Sequence, residues 1–126
     1  MLHVSGLIFL TNAIHALSKR LYLYTVLFLF LSTTTFILHR YDLYDTLMYW
    51  IDQIGVIAVV ALGSWYCWNA HWTVQIFSIT TVAIIGYLYI KEQEEYPNDS
   101  WADNHALIHL ISSIGHHGLI FSSIWL

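Results

Sequence analysis

Apolar residues fill long stretches of this chain, and short polar breaks divide them into about five segments. The first runs from Leu2 to Leu17 and stops at Ser18-Lys19-Arg20. The second runs from Leu21 to His39, the third from Leu47 to Trp68, and the fourth from Trp72 to Ile90. A polar stretch, Lys91 to Asn104, is expected to be the one long loop. The fifth segment runs from His105 to Leu126. A bilayer core tolerates only helices and closed barrels, and these runs are too long and too evenly apolar for barrel strands. They predict an all-α membrane protein: a bundle of about five transmembrane helices forming one domain over 1–126, with no internal repeat.

Composition supports that reading. The chain is 58% hydrophobic and 10% charged, where a soluble domain carries about 25% charged residues. The first segment is short for a span of about 20 residues. It lacks the basic flank of a cleaved signal peptide, so it is expected to be retained. Trp72, Trp101 and Tyr96 are expected headgroup anchors. The acidic stretch dominates a net charge of −4. That balance argues against nucleic acid and against a polybasic surface anchor. The lone Cys67 excludes both a disulfide framework and a cysteine metal site.

Alternating the segments across a membrane puts Lys19-Arg20 and the turn at 69–72 on one side. The turn at 40–46, the acidic stretch and the N-terminus fall on the other. Lys and Arg divide evenly between the two, so charge barely orients the chain, and the Lys19-Arg20 side is the expected cytoplasmic one.

The same alternation groups the candidate chemistry. His105 and His109 lie one turn apart on one helix face, a spacing that suits a single ion. They match only part of a zincin motif, because Ala106 stands where the glutamate base would be. His39 ends the second segment and Asp52 opens the third, and both come to the same membrane face. Asp52 is expensive to bury and needs a partner: a metal, an oriented His, or a proton to accept. Thr35 and Ser32 share the stripe of His39, one and two turns below it. Their hydroxyls could steady an oxyanion, or simply bond their own backbone or pack against a neighbouring helix. His116 is on the face of His105 but roughly 16 Å deeper, too far to share an ion; it is expected in a helix contact or a cavity wall. His15 is expected to pair with His116 or His117, and His3 and His71 to be interfacial.

Thr35-Phe-Ile-Leu-His39, Asp52 in Trp-Ile-Asp-Gln-Ile-Gly, and His105-Ala-Leu-Ile-His109 stand in an order that resembles the CREST superfamily of membrane hydrolases, which includes alkaline ceramidases and progestin/adipoQ receptors. The resemblance implies zinc held by His39, His105 and His109, with Asp52 and Thr35 (or Ser32) in support. It departs from the family in having Thr for the usual Ser, and about five segments for the usual seven. The middle of the chain is shortened, so a second protomer is one way to complete the cavity.

The expectation is therefore a zinc-dependent intramembrane hydrolase. Asp52 would take a proton from an activated water, and Thr35 or Ser32 would steady the oxyanion. The substrate would be a membrane lipid whose carbonyl sits at that depth. A ceramide-like amide is implied by the resemblance, and an ester suits the residues equally. Activity should fall below about pH 6, because each His must be neutral to bind. Two alternatives stay open: a b-type haem electron-transfer subunit, and a non-enzymatic receptor or assembly subunit with a structural metal.

Overall fold

The computed structural model describes residues 2–96 and 100–122, and those residues form helices and turns without a strand. Helix α1 spans Leu2–Ser18, with one tighter 3-10 turn at Gly6–Ile8. It is followed by α2 (Tyr22–Arg40), α3 (Leu47–Trp68), α4 (Trp72–Glu95) and α5 (Ser100–Ser122). The all-α architecture of five helices agrees with the hydrophobic pattern. Helices α2, α3 and α4 are long and apolar enough to cross a membrane, which makes this a membrane protein. The shorter α1 is apolar. The longer α5 is less apolar because its inner faces carry histidine and serine.

Each break in the pattern is closed by local chemistry. Arg20 takes a positive φ of 61° after α1. The Leu21 amide then reaches back to the Ala16 carbonyl (2.9 Å) and the Arg20 amide to that of Leu17 (3.0 Å), the Schellman pattern that satisfies the last carbonyls of a helix. Asp42, at φ 52°, does the same after α2, where the Leu43 amide bonds the Leu38 carbonyl at 3.1 Å. That reversal sends Tyr44 back toward the end of α2. Thr46 caps α3 through the Met48 amide, and His71 caps α4 through the Thr73 amide.

The expected long loop is largely helical instead. Helix α4 continues through Glu95 and α5 begins at Ser100, so most of 91–104 is ordered as helix. Lys, Glu and Gln are good helix formers, and no breaker precedes Pro97. Asn104 Nδ2 donates to Glu95 Oε2 at 2.6 Å and so ties the two helix ends together. The expected extension of the fifth segment to Leu126 concerns 123–126, which lie outside the described residues.

Packing divides the bundle into a tight half and an open half. Phe9, Ala13, Ala16, Tyr24, Phe28 and Ile120 form the core between α1, α2 and α5. A polar ladder joins α1 to α5. Ser5 meets His109, Asn12 and Ser113 exchange two hydrogen bonds (2.9 and 2.6 Å), and His15 meets His117. Interhelical polar bonds of this kind fix register where lipid supplies no hydrophobic drive. On the other side, α4 packs closely on α5 but touches α3 only sparsely. A cavity of about 1440 Å³ separates α3 from α4.

Candidate metal centre

His39 lies in the last turn of α2, and His105 and His109 lie near the start of α5. Antiparallel packing brings these ends to one depth. Each of the three imidazoles presents a donor atom, and all three donors lie within 4.8 Å of one another. The ring centroids are 5.0 Å apart for His39 and His105, 5.4 Å for His39 and His109, and 4.7 Å for His105 and His109. His39 and His109 are buried, and His105 is partly open to the cavity. The structure thus brings together the three histidines that the sequence singles out.

Which nitrogen each ring offers follows from its other partner. Ser5 Oγ gives its proton to the Leu2 carbonyl (2.6 Å) and sits 2.7 Å from His109 Nδ1. With that proton spent, the oxygen can only accept, so His109 carries its proton on Nδ1 and leaves the Nε2 lone pair free. His105 Nδ1 lies 2.9 Å and 3.1 Å from the two Glu92 carboxylate oxygens, which act as acceptors, so its Nε2 is free as well. His39 Nδ1 is 2.7 Å from the Tyr44 hydroxyl. Burial, and then the charges of Asp42 and Glu92, push the Tyr44 phenol up to about 12, so it stays a neutral hydroxyl. Orientation of a ligand imidazole through its second nitrogen is the usual support of a metal site.

These residues fit an ion. Donors around a tetrahedral zinc at about 2.1 Å stand roughly 3.4 Å apart, so the triad is close to binding geometry. Zinc accepts imidazole nitrogen readily, and three protein donors leave a fourth position open.

Asp52 is buried one turn into α3 and lines the cavity that the three histidines line. Its Oδ1 accepts from both Thr34 Oγ1 and Thr35 Oγ1, each at 2.8 Å. The Thr35 hydroxyl is therefore spent on orienting Asp52. Ser32 faces elsewhere: its hydroxyl donates to the Gly6 carbonyl at 3.3 Å, so it serves the contact between α1 and α2. His116 stands apart from the triad in the cavity wall and bonds the Tyr24 hydroxyl. His15 chooses His117, with Nδ1 atoms 2.8 Å apart. His3 packs edge-on against Phe36.

Sequence reasoning missed Glu92, Tyr44, Ser5 and Thr34. The Glu92 signal was present: helix formers continue unbroken to Pro97, and Glu92 lies one turn beyond Leu88, which is buried as it is. Tyr44 and Ser5 had no such signal, because the turn after α2 and the docking of α1 decide them. Compared with models of protein families, with curated proteins and with solved structures, the chain matches none.

Proposed function

We propose that this chain is a zinc-dependent membrane hydrolase of the CREST type that cleaves a lipid amide or ester. One observation carries the reading: each of the three imidazoles has its Nδ1 engaged by another side chain, and the three rings bring donor atoms within 4.8 Å of one another. His39, His105 and His109 would hold the ion. When bound, zinc lowers the pKa of water at its open position and polarises a carbonyl.

The remaining chemistry belongs to the chain. Glu92 and Ser5 hold the rings of His105 and His109 in the tautomer that leaves Nε2 free, and Tyr44 holds the orientation of the His39 ring. Thr34 and Thr35 occupy Asp52 Oδ1, which leaves Oδ2 to accept a proton from water and pass it to the leaving amine or alcohol. The cavity between α3 and α4 is large enough for a lipid chain and is lined by both the triad and Asp52, which supports a membrane lipid as substrate. The triad favours a single ion over haem, because the rings contact one another directly and leave no slot for a porphyrin plane.

The test is turnover by zinc-loaded protein in detergent, with ceramide and with a long-chain ester as substrates. Wild type should hydrolyse at least one of them. Asp52→Asn should retain zinc and lose at least about a hundredfold in rate, the scale of a general base. Zinc bound at full occupancy with neither substrate cleaved would support the structural-metal alternative instead.

A further inference from the structure

The cavity has a second polar station, deeper than the triad. His116 follows His109 by seven residues on α5, which places it on nearly the same helix face and roughly 10 Å further along. Its ring sits so close to α3 that a Cβ on Gly63 would lie 2.9 Å from its Cε1. His116 Nδ1 is bonded to the hydroxyl of Tyr24, a side chain with no exposed surface. The Tyr24 hydroxyl has no other acceptor among the described residues, so it donates to Nδ1. His116 consequently carries its proton on Nε2, the reverse of His105 and His109. That N–H has no protein partner among the described residues, and His116 lines the cavity.

A second donor lies near the same depth on the neighbouring helix. Ser78 lines the cavity on α4, and its Oγ is buried with no hydrogen-bond partner. The register of α4 on α5 fixes its level: a Cβ on Gly118 would meet Phe77, and one on Gly115 would meet Thr81. A buried hydroxyl without a partner is costly unless a ligand or water completes it, and the half-buried His116 N–H is free to share that ligand.

We propose that His116 and Ser78 form a subsite for an oxygen atom, a hydroxyl or keto group, on a lipid chain whose polar head lies at the triad. The cavity would then select oxygenated chains by the distance between head and oxygen. This rests on the lipid-filled cavity of the hydrolase reading, but not on turnover.

The experiment measures binding to purified protein in detergent, by displacement of a fluorescent fatty acid. The probes are stearate, its mid-chain hydroxy analogue and its 2-hydroxy analogue. Wild type should bind the mid-chain hydroxy acid about three- to tenfold more tightly than the other two, the effect of one or two hydrogen bonds. Tyr24→Phe and His116→Phe should abolish that preference while binding stearate as before. Ser78→Ala, which removes no bond within the protein, should reduce it, and His116→Gln should restore part of it. Equal binding of the three probes, or a preference that survives in both Tyr24→Phe and Ser78→Ala, overturns the subsite. Absence of hydrolysis with the binding preference intact would remove the hydrolase reading and leave the subsite standing.

Discussion

Glu92 on α4 grips His105 on α5 with both carboxylate oxygens, at 2.9 and 3.1 Å from Nδ1. The contact links the orientation of one ring of the histidine triad to the packing of two helices. Glu92→Ala should therefore weaken zinc binding by roughly 10–100-fold. Glu92→Gln, whose carbonyl can still accept from Nδ1–H, should lose less. Competition against a chelator of known affinity measures both.

Removal of a ligand should act more strongly. Wild type should hold about one zinc per chain, and His105→Ala or His109→Ala should hold little after dialysis. Protons compete for the same imidazole lone pairs, so metal content should also fall as pH drops below about 6. Elemental analysis of protein dialysed at several pH values checks this, and occupancy undiminished in acid would exclude an all-histidine site.

Tyr44 sets an alkaline limit. A tyrosine in an unfolded chain titrates near about 10, and the folded environment raises this one to about 12. The folded state thus holds the phenolic proton more tightly. Its contribution to stability is whole below about pH 10 and is lost as pH rises through about 12. Tyr44→Phe should flatten that alkaline decline in thermal unfolding, while also weakening zinc binding by freeing His39 Nδ1.

Two glycines should respond oppositely to alanine. At Gly63 a Cβ would meet His116 Cε1 at 2.9 Å and the Tyr24 hydroxyl at 3.2 Å, whereas at Gly86 nothing lies within 4 Å. Gly63→Ala should destabilise the bundle by about 1–3 kcal/mol through overpacking. Gly86→Ala, in the interior of a helix, should be neutral or stabilising by up to about 1 kcal/mol. Unfolding in mixed micelles separates the two.

Helix positions were legible because each span is apolar throughout and each break carries its own turn chemistry, as at Arg20 and Asp42. The bounds of α3, Leu47 to Trp68, follow the apolar run to the residue. The triad was legible because alternation across a membrane puts His39, His105 and His109 at one depth whatever the details of packing. The supporting residues were harder to read. Glu92 looked like part of a solvated loop because charge near a membrane edge resembles a loop. Ser32 shares the stripe of His39, yet α1 lies against that stripe and takes the hydroxyl at the Gly6 carbonyl. Lateral order of helices, unlike depth, leaves no trace in a hydrophobic pattern.

The ladder between the first helix and the last also sets an order of assembly. Ser5 and His109 are 104 positions apart, so the ring that Ser5 orients is made long after Ser5 has entered the bilayer. Until α5 has been made, Asn12 and His15 on α1 lack the partners they have in the folded bundle, and His39 on α2 lacks its two companions. A nascent chain arrested before Ser100 would therefore lack the assembled triad, and closure of the triad marks a chain whose synthesis has run to the final helix.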